Sequence, residues 1–256
     1  MPDDSILSLA PPVADERIAY GKGASQFGDL RLPRGKGPFP LAVNIHGGFW
    51  RARYDLAHSG HLCAALTKAG VATWNLEYRR VGQTGGGWPG TLQDVAAGFR
   101  FADKLAPQYK LDRSRVVLIG HSAGGQLALC LAARASRLRA VVALAPVCDL
   151  RRAWELKLGN GAVGDFLGGS PEEVPEHYLE ASPMELAITV SQRIIHGAED
   201  EVVPIELSRS YEKRKTERKE DVRLLEIAGA GHFELIDPRT AAWRKVESTV
   251  VGLLGI

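Results

Sequence analysis

The sequence GHSAG at 120–124 places Ser122 between two glycines, directly after the apolar run RVVLIG at 115–120. A serine at the start of a helix usually caps it, and capping needs no glycine on either side. A nucleophile elbow does need both, because its strained turn brings other backbone atoms close to the two glycine positions. The helix-like sequence SAGGQLALCLAAR follows, so this strand–turn–helix setting favours Ser122 as a nucleophile.

A nucleophilic serine requires a histidine as general base and a carboxylate that orients the imidazole. His232 lies in a glycine-containing turn after VRLLEI at 222–227, the last strand-like run, and it is the histidine that this chemistry favours. The acid is less clearly marked, because Glu199, Asp200 and Glu201 are adjacent after an earlier strand. The residues themselves leave open which of the three faces the imidazole.

An acyl transfer also needs backbone N–H groups that stabilise the negative oxygen of the tetrahedral intermediate. The sequence NIHGGFW at 44–50 follows the first long buried strand, and its glycines allow backbone to approach a substrate closely. We therefore predict an oxyanion hole formed by the backbone amides of Gly48, Phe49 and Ala123.

Several ring-bearing side chains near these motifs are predicted to line the substrate pocket, and two of them fall in a long segment without a strand pattern. Aromatic packing inside that segment is an equally good interpretation for those two. The predicted pocket residues are Trp50, Trp88, His121, Trp154 and Phe166.

Short apolar runs alternate with longer amphipathic segments along the chain, which predicts an α/β fold with a mostly parallel, doubly wound sheet of about eight strands. Helices are expected on both faces of the sheet. Two leading strands are expected before residue 33. The predicted later strands are 41–45, 71–76, 115–120, 140–145, 192–196 and 222–227, and the predicted helices are 55–69, 91–106, 122–135, 204–219 and 239–253. We predict one domain over 1–256, with a short lid-like insertion at 149–186.

Composition excludes several other classes of protein. The 256 residues carry a net charge of +2, which gives no reason to expect binding to nucleic acid or to a membrane surface. The acidic start MPDDSILSLAPP does not resemble a signal peptide, and no apolar run is long enough for a membrane span. The three scattered cysteines favour free buried thiols and a cytoplasmic location. No carboxylate or thiolate set joins His58 and His61, so we predict no metal site.

Taken together, the motifs resemble those of small serine esterases with the α/β-hydrolase fold, over residues 16 to 254. The closest resemblance is to the kynurenine formamidase-like and feruloyl- or acetyl-esterase-like branch, whose oxyanion motif reads His-Gly-Gly-aromatic-Trp, here His46 to Trp50. Hormone-sensitive-lipase relatives carry a third glycine where this chain has Phe49. The sequence HGAEDEVVP is similar to the family's acid motif, and this resemblance implies that Asp200 is the acid.

The resemblance implies a carboxylesterase that cleaves small or aryl esters through a Ser-His-Asp acyl-enzyme mechanism, with no metal or organic cofactor. An aryl-formamidase that hydrolyses N-formylkynurenine would use the same residues and is the main alternative. An exopeptidase and a non-catalytic binding protein are less favoured. The partner is expected to be a small ester or amide, and the sequence does not indicate an oligomeric state.

Overall fold

In the computed structural model, which describes residues 4–256, eight strands form one sheet in the order β1-β2-β4-β3-β5-β6-β7-β8. The strands are β1 Glu16–Ala19, β2 Phe27–Arg31, β3 Phe39–Ile45, β4 Ala72–Leu76, β5 Leu111–His121, β6 Ala140–Leu144, β7 Ser191–Gly197 and β8 Val222–Ile227. β2 runs antiparallel to both of its neighbours, whereas β3 to β8 are mutually parallel. This arrangement confirms the predicted α/β class and doubly wound sheet.

Eight α-helices connect or follow these strands. They are α1 Gly60–Lys68, α2 Gly90–Tyr109, α3 Ala123–Ala132, α4 Leu150–Glu155, α5 Leu158–Leu167, α6 Pro175–Ala181, α7 Glu206–Glu217 and α8 Ala241–Leu254. Two short 3₁₀ helices cover Ser5–Ser8 and Leu56–Ser59. The predicted helix 55–69 is therefore divided, because the Asp55 carboxylate accepts a hydrogen bond from the amide of Ala57 and starts a separate 3₁₀ turn.

The sheet is covered on both faces, as the continuous apolar runs require. All five residues of β6 are buried. One core cluster contains buried side chains of α1 and α8, such as Leu62 and Val246. The other contains side chains of α2, α3 and α7, such as Phe99 and Leu127, together with residues of the 149–186 insertion.

The positions of the strands also explain how the site is assembled. β5 is longer than predicted because Leu111 and Asp112 pair with the first residues of β3 before the register shifts. At its other end, Gly120 pairs with Ile45 of β3 and His121 with Leu144 of β6. Loops that leave the carboxyl ends of parallel strands meet at one edge of the sheet, and this edge holds the site.

The segment 149–186 contains α4, α5 and α6 and no strand. α5 begins with left-handed backbone at Gly159, Asn160 and Gly161 before regular helix follows. Movement of this segment as a lid stays a prediction, as does the single domain over 1–256, whose first three residues lie outside the described chain. Among residues 4–256, no helix combines the length and apolar character that crossing a bilayer requires.

Candidate active site

Ser122 occupies the turn between β5 and α3 in a conformation that is rare for a residue with a side chain, at φ 57° and ψ −121°. Its backbone amide donates a 2.8 Å hydrogen bond to the carbonyl of Leu144, which fixes the turn against β6. The Ser122 side chain makes no capping hydrogen bond to α3. The geometry therefore does not support a simple helix cap.

The two glycines of the motif are required by close backbone packing. A Cβ at Gly120 would lie 2.1 Å from the carbonyl oxygen of Gly124, and a Cβ at Gly124 would lie 2.1 Å from that of Ile45. Both distances are far below van der Waals contact, so neither position has room for a methyl group. The elbow, α3 and the end of β3 are consequently packed backbone to backbone.

His232 follows β8 and lies beside a buried carboxylate. Its Nδ1 is 2.6 Å from Oδ2 of Asp200, and the carboxylate can only accept, so Nδ1 carries the proton. In this tautomer the lone pair is on Nε2. This is the tautomer that a general base for a serine hydroxyl requires.

Asp200 is selected from the three adjacent carboxylates by the path of the loop after β7. Its side chain is fully buried, and Oδ1 accepts hydrogen bonds of 2.8 Å from the amides of Val202 and Val203. Glu199 and Glu201 are exposed. Burial raises the pKa of Asp200, but hydrogen bonds from His196 and His232 outweigh it and hold this pKa below its usual value.

His196, at the end of β7, supports Asp200 and was not singled out by the sequence. Its buried ring places Nε2 3.2 Å from Oδ2 of Asp200 and 2.9 Å from the carbonyl oxygen of Val203, so Nε2 is the protonated nitrogen. The other ring nitrogen accepts from the hydroxyl of Ser208 at 2.7 Å. Only its position, four residues before Asp200, could have indicated this role.

His121, the residue before the serine, connects the turn at Ser122 to the loop that carries His232. Its Nε2 donates a 3.0 Å hydrogen bond to the backbone oxygen of His232, and the two rings lie 4.4 Å apart between centroids. Burial, reinforced by the nearby charge of His232, lowers the pKa of His121 well below its usual value. Its Nδ1 is buried and makes no hydrogen bond to the described chain.

The loop after β3 takes an unusual path beside the elbow. Gly48, Phe49 and Trp50 all have positive φ, at 112°, 51° and 57°. A Cβ at Gly47 would lie 2.8 Å from the carbonyl oxygen of His121, so the loop and the elbow are in direct contact. The backbone of Gly48 and Phe49 is thereby held next to Ser122.

A buried polar network lies beneath this loop. Glu77 accepts from His46 Nε2 and from Arg80 at 3.2 Å each, and from the amide of Leu56 at 3.2 Å. His46 also places Nδ1 2.7 Å from the carbonyl oxygen of Gly47, and its ring stacks on Tyr78. Although burial raises the pKa of Glu77, the charge and hydrogen bond of His46 lower it further than burial raises it.

A cavity of about 250 Å³ opens above these residues. The structure brings five of the predicted site residues to its wall, namely Gly48, Phe49, His121, Ser122 and His232. Ala123 is buried as the first residue of α3. Nine further wall residues were not predicted from the sequence, namely Leu7, Arg51, Arg53, Tyr54, His58, Gly159, Asn160, Val202 and Phe233. Arg51, Arg53 and Tyr54 lie within four positions after the HGGFW motif, and this proximity could have indicated that they line the cavity.

Four of the predicted pocket residues do not line this cavity. Trp50 is buried, stacks on Phe166 at 4.5 Å between ring centroids, and donates its indole N–H to Gln126 at 2.9 Å. Trp88 packs edge-on against Phe166, and Trp154 packs against the same core. These rings attach the loop after β3 and the insertion to the core around α3, so for them the packing interpretation replaces the pocket interpretation.

Within residues 4–256, no group of three or more His, Cys, Asp or Glu side chains is arranged to hold a metal ion. The three cysteines are free and buried. Burial raises the pKa of Cys63 and of Cys130 to about 12, so these thiols stay protonated at neutral pH.

Comparison with known proteins gives a family for this arrangement. The family model described as BD-FAE matches residues 29–214, which include the HGGFW loop after β3, the turn at Ser122 and Asp200. The chain belongs to the BD-FAE family. The matched range ends before His232, which reaches the site from the loop after β8.

Proteins that are similar to this chain are esterases by name. Esterase LipC of Mycobacterium tuberculosis is 25% identical over 86% of this chain and 60% of its own length. Versiconal hemiacetal acetate esterase of Dothistroma septosporum is 33% identical over 56% of this chain and 45% of its own length. The chain thus spans about half of these relatives' lengths. A truncated carbohydrate esterase from gut microbiota shares the fold, with a TM-score of 0.81, 20% identity and coverage of 97% of this chain and 100% of that one.

Proposed function

We propose that this BD-FAE family member is a carboxylesterase with Ser122 as nucleophile, His232 as general base and Asp200 as the orienting acid. The observation that carries the proposal is the shared cavity. Ser122 opens into it from a strained elbow, and His232 opens into it with Nδ1 held 2.6 Å from the Asp200 carboxylate. A buried acid that fixes a histidine beside a strained serine is the arrangement that serine acyl transfer needs.

The proposed reaction proceeds in two acyl-transfer steps. Nε2 of His232 takes the proton of Ser122 while the serine oxygen attacks the ester carbonyl carbon. The amides of Gly48, Phe49 and Ala123 donate hydrogen bonds to the resulting oxyanion. The intermediate collapses, the alcohol leaves with the proton from His232, and water then releases the acid by the same route.

The names of the curated relatives support ester hydrolysis and give no support to the formamidase alternative. A preference for small acyl groups is consistent with a cavity of about 250 Å³. The feruloyl- or acetyl-esterase side of the resemblance is therefore the side we propose for this chain. A binding protein without activity would not need the Asp200 and His196 contacts that fix the tautomer of His232.

Active-site labelling tests the proposal. An alkyl fluorophosphonate should label the wild-type protein at Ser122, and Ser122→Ala should remove both the label and hydrolysis of 4-nitrophenyl acetate. The control is Ser248→Ala, which changes an exposed serine on α8 and should leave both unchanged. Labelling of another residue, or full turnover by Ser122→Ala, would show that the elbow serine is not the nucleophile.

A further inference from the structure

The wall of the cavity carries charge of one sign. Arg51 and Arg53 both line it, and among residues 4–256 no aspartate or glutamate does. His58 also lines it, but burial, aided by the nearby charge of His46, lowers its pKa to about 3 and keeps it neutral. Asp200 lies behind His232 with its side chain fully buried. The part of the cavity that a substrate reaches is therefore positive.

The two arginines differ in what they already bind. Arg51 donates to the carbonyl oxygen of Asn160 at 3.0 Å and to a carboxylate oxygen of Asp165 at 2.9 Å, so its charge is balanced within the protein. Arg53 donates to the phenol oxygen of Tyr54 at 2.5 Å, and its guanidinium carbon lies 4.6 Å from the centre of that ring. Across residues 4–256, Arg53 forms an ion pair with no carboxylate. Its charge is available to a ligand.

The Tyr54 ring links Arg53 to the loop after β3. A Cβ at Gly48 would lie only 2.5 Å from Cβ of Tyr54, so Tyr54 packs directly on the backbone of the oxyanion loop. The same ring orients the Arg53 guanidinium through the hydrogen bond and the cation–π contact. Arg53 thus shares the cavity wall with Gly48 and Phe49, whose amides face the scissile carbonyl in the proposed mechanism.

We propose that the cavity selects esters that carry a carboxylate, and that Arg53 is the residue that binds this group. The inference rests on the proposed esterase function and names its substrate class. A guanidinium presents two parallel N–H groups that match a carboxylate, which gives stronger and more directional binding than a neutral partner. A cavity of about 250 Å³ limits the substrate to one small acid or alcohol portion beside the ester.

Two pairs of matched esters test the proposal and locate the carboxylate. Methyl hydrogen succinate and methyl butyrate differ in a carboxylate on the acyl side, whereas 4-acetoxybenzoate and 4-acetoxybenzamide differ in one on the alcohol side. For at least one pair, wild-type kcat/KM should be higher for the anionic member. The pair that shows the preference identifies the side of the ester that faces Arg53. Equal or lower kcat/KM for both anionic esters would overturn the proposal.

Variants assign the preference to one side chain. Arg53→Gln should lower the anionic-to-neutral ratio of kcat/KM by at least about fivefold, mainly through a higher KM for the anionic ester. Arg53→Lys keeps the charge without the paired donors and should retain more of the ratio. Arg244→Gln removes an exposed charge on α8 and should leave the ratio unchanged, which controls for net charge.

The outcomes separate this inference from the proposed function. A ratio that stays the same in Arg53→Gln, or falls equally in Arg244→Gln, overturns the role of Arg53 even when every ester is hydrolysed. If the wild-type protein hydrolyses no ester and is not labelled by the fluorophosphonate, the proposed function itself is wrong. Added KCl should reduce the preference for the anionic ester, since the exposed guanidinium is screened by salt.

Discussion

The Asp200 carboxylate determines which nitrogen of His232 carries the proton, and the proposed mechanism uses the other nitrogen as the base. In Asp200→Asn the side chain could donate to Nδ1 and leave the proton on Nε2, which is the wrong tautomer for accepting the proton of Ser122. We expect kcat for 4-nitrophenyl acetate to fall by roughly 10³- to 10⁴-fold, with a much smaller change in KM. Steady-state kinetics at neutral pH measure both parameters.

Glu199→Gln is the matched control because it makes the same change of acid to amide one residue away, on an exposed side chain. It should keep kcat within about twofold of wild type, since exposed substitutions away from the site have small effects. A larger loss in Glu199→Gln than in Asp200→Asn would reverse the assignment of the acid.

For single residues, the sequence predicted which side chains are candidates for the chemistry, but it did not predict what surrounds each of them in the fold. The order of serine, acid and histidine singled out Ser122 and His232, because each side chain needs a fixed place after a strand. The choice among three adjacent carboxylates depends on how the loop after β7 turns, which the amides of Val202 and Val203 decide. Trp50, Trp88, Trp154 and Phe166 were predicted to line the pocket and instead pack in the core. An aromatic residue that stacks in a core and one that stacks in a cavity have the same sequence pattern.

Because α3 and the end of β3 are in close contact at Gly124, a side chain at this position is predicted to destabilise the packing of both elements. In Gly124→Ala the new methyl would lie 2.1 Å from the carbonyl oxygen of Ile45, so the end of β3 and α3 must separate. We expect the free energy of unfolding to decrease by about 2 kcal/mol or more, and kcat to fall with it. Urea unfolding and ester hydrolysis measure the two effects.

Gly252→Ala provides the opposite case on α8. A Cβ at Gly252 meets nothing within 4 Å, so the substitution adds helix propensity without a clash. It should increase the free energy of unfolding by about 0.5–1 kcal/mol and leave kcat unchanged. Equal effects of the two substitutions would show that helix propensity, rather than the contact with β3, governs position 124.

Helices and strands could be predicted from the sequence wherever burial produces a regular spacing or a continuous run of apolar residues. The predicted strand 222–227 has the same bounds as β8, and the run 140–145 contains β6, since both are marked by continuous or alternating apolar residues. The interior of 149–186 could not be predicted in detail. Its α5 starts through left-handed backbone at an Asn-Gly pair, and tertiary contacts such as that between Gly159 and the Phe49 ring select this conformation.

Two buried carboxylates make the stability of the whole fold depend on pH. The pKa values of Glu77 and Asp200 are both lowered in the folded protein, in each case because hydrogen bonds and charge from histidines outweigh burial. The unfolded chain, with ordinary values near 4.3 for Glu and 3.9 for Asp, therefore binds protons first as pH falls. The stabilisation from these groups is complete above about pH 5 and decreases as the pH falls below about 4.

Glu77→Gln tests this linkage. At pH 7 the substitution leaves Arg80 and His46 without their carboxylate partner, and we expect a loss of about 3 kcal/mol in the free energy of unfolding. At pH 3 the difference from wild type should be smaller, because the carboxylate no longer contributes its full stabilisation there. Urea unfolding at several pH values between 3 and 7 gives both curves. Glu217→Gln, on an exposed part of α7, should follow the wild-type curve throughout, whereas a Glu77→Gln curve parallel to wild type would show that Glu77 does not provide this pH dependence.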